Sequence, residues 1–452
     1  MKRLLPLLLC AVLALFCATT AQAAGVSITL TASEYALHYA FDAGAQDPFV
    51  ILEYTTPAEK GWMMLYSEDG HFEGDVSLAY SGAGGKTSVA LTSARTTGSI
   101  GKASTTLPKA ADYQKPTGKS NVKVTDFVLT ETPEGFHYAF NAAGTDYMLL
   151  YWRSKEQTVT QPVYPDENGH YEGDVVSELT FARTQFTVQV KSGSGSMKKE
   201  ATVRKGYQAP EAPQRQEGRL SGVTVCIDAG HQENGRFVNE PIGPGLSGST
   251  SGKGGMAQGT KTNRRESIVC LEIGMLLRDE LLRQGTNVVM TREDQTTFHT
   301  NIERCEIAEA GGAQIMLRLH CNNSSNRSKR GIQVYGPLNS DYAKAVADAD
   351  TYREMGQKLL DAMKTRVGMT LANSTGMVRL NDNYVGNNWA KMMCFLVEMG
   401  YLSNPAEEYL LVTPVYQQWL AEGMADGVYD IAVAPLTPSP VALRMLVYGS
   451  AA

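Results

Sequence analysis

Residues 223–231 read VTVCIDAGH and residues 314–320 read QIMLRLH. Each is a strand-length apolar run that ends on a histidine. A strand buried on both faces shows a continuous apolar run instead of an in–out alternation. Further runs of this kind are TNVVMTR (286–292), GIQVYG (331–336) and MMCFLVEMGY (392–401). Between them lie helical patterns at 266–284, 302–310 (IERCEIAEA), 341–367 and 413–432, the first stopped by Gly285. Strands alternating with helices predict an α/β domain over 220–433, with a central, mostly parallel or mixed sheet flanked by helices.

In open α/β sheets, ligands bind at the C-terminal ends of the strands. That edge is where His231 and His320 fall. Two imidazoles and one carboxylate make a three-ligand metal site with a position left open. Glu266 opens the first helix after a long polar loop and is the expected carboxylate, with Glu240 and Glu233 as substitutes. Glu398 sits inside the buried run FLVEMGY, where an ionised carboxylate is costly without a partner or a task. Taken singly, each histidine also fits a hydrogen-bonded core residue, and Glu398 fits a buried ion pair. Asp228 is a candidate to orient His231 or to shape its turn. Arg292 and Arg304 read equally as structural ion-pair residues and substrate contacts, and His299 falls on a polar loop. The loop 240–262 reads as a flexible rim or lid. Its Gly-Lys pair at 252–253 lacks both the spacing and the following hydroxyl of a phosphate-binding loop.

VTVCIDAGH, Glu266, TRED (291–294), LRLHCN (317–322) and FLVEMGYLSN (395–404) together resemble the zinc N-acetylmuramoyl-L-alanine amidase family, over roughly residues 220–432. The resemblance implies Zn2+ held by His231, Glu266 and His320, with Glu398 as the catalytic carboxylate. It implies hydrolysis of the amide between N-acetylmuramic acid and the first L-alanine of the peptidoglycan stem. Asn322 and Arg379 are candidate donors to the oxyanion. The segment between His231 and Glu266 is longer than in many members, and its EPIGPG and GT pieces resemble a longer-loop branch. A zinc peptidase cutting within the stem, and an inactive wall-binding or regulatory protein, are the competing expectations.

The N-terminal half is a duplication. LHYAFDAG (37–44) returns as FHYAFNAA (136–143), and GHFEGDV (70–76) as GHYEGDV (169–175), both 99 positions on. Alternating segments such as VSITLTA and FTVQVK predict two tandem β-sandwich-like (Ig-like) repeats, 24–112 and 120–207. DENGH (166–170) predicts a hairpin turn. The paired histidines His38, His71, His137 and His170 are expected to be structural residues beside aromatic core. The repeats are candidates to bind wall or a protein partner, or to act as spacers.

Residues 1–23 have a basic start, an apolar run and a small-x-small end, the pattern of a cleaved export signal. They are followed only much later by a Pro/Gln/Glu-rich linker (208–219), and 434–452 reads as a loose tail. Export places the mature protein outside the cell, at the wall or in a periplasm. Removing the leader takes the net charge from −6 to −8, which disfavours nucleic acid as a partner. No later run is long and apolar enough to span a membrane. Five cysteines remain (226, 270, 305, 321 and 394), without a CxxC. They predict neither a disulfide framework nor a cysteine metal site, with at most one bridge.

Overall fold

The computed structural model describes residues 19–21, 25–78, 80–96, 98–111, 122–132, 135–145, 147–154, 157–176, 185–192, 195–204, 209–232, 238–250, 255–262, 264–368 and 377–434. Most of the expected leader, most of the expected tail and Glu233 lie outside these residues. Two compact units form: residues 1–93 with 97–205, and residues 206–452 with 94–96. Among the described residues no helix is long and apolar enough to cross a membrane.

The first unit is all β. Its strands are β1 (Thr19–Ala21), β2 (Ile28–Ser33), β3 (Ala36–Asp42), β4 (Phe49–Thr55), β5 (Glu59–Tyr66), β6 (His71–Ser77), β7 (Gly85–Ser93) and β8 (Ser99–Leu107). The second copy follows as β9 (Val124–Thr132), β10 (Gly135–Ala142), β11 (Met148–Arg153), β12 (Gln157–Val163), β13 (His170–Val176), β14 (Gln185–Lys191) and β15 (Met197–Arg204). In the first copy β2, β3 and β6 form one sheet with β1, and β5-β4-β7-β8 form the other; β9, β10, β13 and β15-β14-β11-β12 repeat that division. Each copy has its own core. Leu37, Leu52, Phe72 and Leu91 belong to the first, and Phe136, Leu150, Trp152 and Phe186 to the second.

The duplicated sequence does not announce that the copies share a sheet. Antiparallel pairing of β5 with β12, Gln157 opposite Gly61 and Val159 opposite Glu59, fuses the two larger sheets into one of eight strands. Edge strands carry unpaired backbone groups, and pairing one edge with the other removes both. The DENGH segment is a tight turn, with Gly169 at φ 79°, but β12 and β13 lie in different sheets. It is therefore a corner between sheets and not a hairpin.

The histidines also differ from expectation. They are not beside the core but on the outer face of the smaller sheets, interleaved with acids. His38 Nδ1 lies 3.0 Å from Asp75 and His71 Nδ1 2.7 Å from Asp42. In the second copy His137 Nδ1 lies 2.9 Å from Asp174, and His170 meets the Asn141 side chain at 2.8 Å. The Asp42 hydrogen bond raises the His71 pKa. Alternation along β3 and β6 turns these residues outward while Tyr39, Phe41 and Phe72 turn inward.

The second unit is the predicted α/β domain. Its chain order is β16 (Thr224–Ala229), α1 (Glu266–Arg283), β17 (Asn287–Met290), α2 (Asn301–Ala310), β18 (Ile315–Asn322), β19 (Gln333–Gly336), α3 (Asp341–Val346), α4 (Ala349–Val367), β20 (Met377–Leu380), α5 (Val385–Trp389), β21 (Met393–Tyr401), α6 (Pro405–Leu411) and α7 (Pro414–Ala432). The sheet order is β17-β16-β18-β21-β19-β20. All pairings are parallel except β19 with β21. Cys226, Met316 and Cys394 face α2 with Cys305 and Ala308, while Ala229 packs on Leu271 and Met275 of α1. All five cysteines are buried free thiols.

The single helix expected at 341–367 is two. Ala347 is extended at φ −159°, and the Asp348 side chain accepts from Thr351 N to start α4 afresh. An aspartate satisfies the open N–H groups of a helix start better than it serves a helix interior. The short elements β20, α5 and α6 carry too few residues for a periodic signal and are additions by the structure.

Candidate active site

The turn after β16 is built by two buried arginines. His231 has φ 57°, a left-handed conformation unusual for a side chain of this size. Gly230 before it packs so closely that a Cβ there would stand 2.4 Å from the Leu319 carbonyl oxygen. Arg292 donates to the carbonyls of Ala229 (2.7 Å), Gly230 (2.9 Å) and Ser267 (2.7 Å). Arg304 donates to the carbonyls of Ala229 (3.0 Å) and His231 (3.3 Å) and to the Gln232 side chain. Both hold the turn through these carbonyls, and Arg304 also lines the cleft described below.

Asp228 does not orient the His231 ring. It is wholly buried and accepts from Arg304, from Arg318 Nε at 2.9 Å and from Thr291 Oγ1 at 2.8 Å. Burial opposes its charge, but the two guanidiniums prevail and hold its carboxyl far below the usual range. Of the two roles considered for it, shaping the turn is the one the contacts match.

Beside this cluster lie the residues expected to hold a metal. Glu266 is the first residue of α1, and Arg265 before it makes no side-chain cap. A carboxylate is favoured at that positive helix end. Glu266 Oε1 lies 3.1 Å from His231 Nε2 and 3.0 Å from His320 Nδ1. The two imidazoles meet edge to face, ring centroids 4.9 Å apart. One donor atom from each of the three residues falls within 4.8 Å of the others, so the trio could hold a metal ion. Backbone N–H groups of Ala257 (2.8 Å) and Cys321 (3.0 Å) fix the Glu266 carboxylate. Burial pushes its pKa up, yet hydrogen bonds to the two histidines outweigh it and leave Glu266 well below the usual carboxylate range. Burial depresses the His320 pKa, favouring the neutral imidazole that metals require.

Glu398 stands opposite His320 across the parallel β18–β21 pair. Burial, reinforced by the Glu266 charge, raises its carboxyl well above the usual range. Among the described residues, Glu398 Oε2 and His320 Nε2 are shut off from solvent with no hydrogen-bond partner. Buried polar atoms are paired as a rule, and two unpaired ones beside a group of three potential metal ligands fit a site for an ion and a reactant. The donor set of two nitrogens and one carboxylate suits zinc.

These residues open into a cleft of about 760 Å³ that also exposes Phe298, Asn301 and Tyr384, none of them singled out by the sequence. His299 lines it as well. Asn322 reaches the cleft but donates its amide to Gln333 Oε1 at 3.0 Å. Arg379 lies on β20, two strands from Glu398, and is not in the lining.

Glu240 is not a substitute ligand. It accepts from the N–H groups of Asn301 (3.2 Å) and Ile302 (2.8 Å) and from the Asn301 amide (2.7 Å). Together with the Thr300–Glu303 capping box, it satisfies the start of α2. Nor is the loop 240–262 a free lid over its described residues. Pro241 pairs with Ser249 and Gln258 with Arg265, and Trp389 and Asn388 donate to the carbonyls of Pro241 (2.9 Å) and Ile242 (3.1 Å). The buried Glu408, a residue the sequence reading passed over, accepts from the N–H groups of Thr260 (2.9 Å), Lys261 (2.6 Å) and Thr262. It thereby fixes the chain just ahead of Glu266. Its sequence signal is weak, a second acid in NPAEE next to the helix-starting Asn-Pro.

Residues 225–430 match the family described as N-acetylmuramoyl-L-alanine amidase. A germination-specific N-acetylmuramoyl-L-alanine amidase of Bacillus subtilis is 26% identical over 223 residues, covering 46% of this chain and 79% of that one. A probable cell wall amidase, LytH, of Staphylococcus aureus is 26% identical over 217 residues, covering 47% of this chain and 60% of its own length. A crystal structure of an N-acetylmuramoyl-L-alanine amidase from Clostridium difficile 630 aligns at 25% identity with a TM-score of 0.37, covering 46% of this chain and 96% of that one. The family match leaves all of the β-rich first unit outside it.

Proposed function

Because residues 225–430 belong to the N-acetylmuramoyl-L-alanine amidase family, we propose that this chain is an exported zinc hydrolase that splits the N-acetylmuramic acid–L-alanine amide of peptidoglycan. The observation that carries the reading is the convergence of His231, Glu266 and His320 beside Glu398, at the strand ends where such sheets build their sites.

In this reading His231, Glu266 and His320 hold the ion. When bound, zinc supplies Lewis acidity, acidifying water toward a pKa of about 7 and drawing charge from a carbonyl oxygen. Burial, reinforced by the Glu266 charge, favours the protonated form of Glu398; a cation held beside Glu266 would favour the ionised form. Glu398 Oε2 then accepts the proton of the attacking water and returns it to the departing L-alanine nitrogen. Arg292 and Arg304 keep the His231 carbonyl turn in place, so the imidazole is positioned before substrate arrives. The cleft of about 760 Å³ around the cluster is where the substrate amide would be received. Asn322, which lines the cleft and donates to Gln333 Oε1, is a candidate donor to the oxyanion if released from that bond.

Each N-terminal repeat we read as an Ig-like sandwich, because its three-strand and four-strand sheets follow the order of a Greek-key sandwich. Residues 1–23 we read as the export leader, which brings the enzyme to its polymer.

Digestion of purified peptidoglycan by the mature chain, followed by mass analysis, tests the proposal. The expected products are intact stem peptides with a free L-alanine amino terminus, lost with a chelator and restored by zinc. Cleavage inside the stem would replace the amidase with a peptidase, and no cleavage with zinc present would overturn the hydrolase reading.

A further inference from the structure

The larger sheet of the first repeat carries a second groove, of about 750 Å³, on its outer face. Strand alternation puts Val50, Leu52, Tyr54, Val89 and Leu91 into the core, and the intervening residues outward. The outward rows follow from the register. Lys60 is opposite Thr55, Thr55 opposite Ser88, and Ser88 opposite Ser104. In the next row Trp62 is opposite Glu53, Glu53 opposite Ala90, and Ala90 opposite Lys102. Lys86 lies one outward position beyond Ser88 on β7. Trp62 is only 9% exposed and forms floor, with lysines standing around it.

Lys60, Lys86 and Lys102 are all exposed. Among the described residues none of the three side chains makes an ion pair or a hydrogen bond. With Glu53 as the single acid among the lining residues, the groove carries a net charge of +2 on a chain whose own net charge is −6. Lys60 and Lys102 stand on the outer two of four strands and in adjacent outward rows, roughly 16 Å apart from about 4.8 Å per strand and about 3.4 Å per residue. That spacing suits an extended ligand with several negative groups.

The second repeat supplies an internal control. Tyr54 and Trp152 occupy the same core position, and Val89 and Val188 pair with them. Counting outward from these pairs, Thr158 replaces Lys60, Gln185 replaces Lys86, Glu200 replaces Lys102, and Thr160 replaces Trp62. Tyr151 stands for Glu53, and Arg153 for Thr55. The side chains there pair among themselves: Gln189 with Glu200, and Arg204 with Gln185 at 3.1 Å. The two copies retain the same core and pairing scheme, yet among the described residues the lysines of the first are replaced at the equivalent positions of the second by Thr158, Gln185 and Glu200. The fold does not require them.

We propose that this groove of the first repeat binds the carboxylate-bearing stem peptides of peptidoglycan and holds the enzyme on its polymer. Lysine ammoniums would take the carboxylates, and Thr55, Ser88 and Ser104 would hydrogen-bond the peptide backbone. The choice of occupant rests on the wall-hydrolase reading; the anionic character of the ligand rests on the groove alone.

Sedimentation of the full chain with insoluble, phosphate-polymer-free peptidoglycan tests it. The Glu398→Gln background prevents digestion during the measurement. The triple variant Lys60→Glu, Lys86→Glu, Lys102→Glu is expected to weaken binding at least tenfold. The triple Lys→Arg variant, which keeps the charge, is expected to bind within about twofold of the parent and shows that the face tolerates substitution. With Glu398 restored, the charge-reversed variant is expected to hydrolyse small soluble muramyl peptides at the parental rate, which also reports a folded catalytic unit. Unchanged sedimentation of the charge-reversed variant would overturn the proposal, as would binding seen only with walls that retain phosphate polymers. A parent chain that hydrolyses nothing but sediments through these lysines would overturn the amidase reading and support the groove.

Discussion

Two buried charged clusters occupy the same edge of the α/β sheet, and they differ in how completely their atoms are paired. In the first, Asp228 meets Arg304, Arg318 and Thr291, and the arginines spend further donors on carbonyl oxygens. In the second, His231, Glu266 and His320 converge, while His320 Nε2 and Glu398 Oε2 are left without partners. Both clusters bury acids in a fold that disfavours them. The first pairs its carboxylate oxygens internally and holds a turn; the second is two partners short and is suited to an ion and a reactant. Pairing, not burial, separates the structural acid from the one proposed to react.

The contrast is sharpest when one acid of each cluster is neutralised without change of shape. Glu398→Gln is expected to lower peptidoglycan hydrolysis by about 10²–10⁴-fold, the usual contribution of a proton-transferring group, with an unchanged or raised urea midpoint. Asp228→Asn should do the reverse to stability, costing about 3–5 kcal/mol in urea denaturation because two guanidiniums lose their buried counter-charge. Equal stability losses in the two variants would break the comparison.

Metal removal probes only the second cluster. With zinc at about 100 times its dissociation constant, stripping it should lower stability by about 2.7 kcal/mol, read as a fall in Tm. His320→Ala should abolish that zinc-dependent difference, while Asp228→Asn should keep it. Acid titration probes the first cluster. The folded Asp228 carboxyl is depressed, so its contribution is present above the ordinary value of about 3.9 and is lost as pH falls below it. The difference in stability between the parent and Asp228→Asn should therefore shrink on moving from pH 6 toward pH 2, in denaturation curves taken at each pH. Glu240→Gln is the smallest change, about 1 kcal/mol, through the start of α2, with zinc affinity unaltered. A large loss of zinc affinity would return Glu240 to the ligand set.

Much of this was legible along the chain. The apolar runs ending in His231 and His320 announce strands buried on both faces, because only such strands lack a polar alternation. Glu398 is conspicuous as an acid within FLVEMGY. The duplicated GHFEGDV and GHYEGDV motifs reveal two copies. Other features depend on contacts between distant residues. Nothing beside Asp228 in sequence tells that Arg304 and Arg318 will reach it, so its role stayed divided between the His231 ring and the turn. Glu240 resembles a ligand until α2 is seen to start against it. The 240–262 loop looks free because glycine-rich and polar composition does not disclose Glu408.

The sequence by itself determined the types of the longer elements, the duplication, the α/β character of the second unit and the residue kinds that could hold a metal. Periodicity and composition are local properties, and a strand or helix writes them into its own residues. Only the tertiary structure decided which acid joined the histidines, which was locked by arginines, which capped a helix, and that the lysines of the first repeat line a groove. Those outcomes rest on distances between side chains remote in sequence. Electrostatic pairing acts over a few ångströms of space, whatever the separation along the chain.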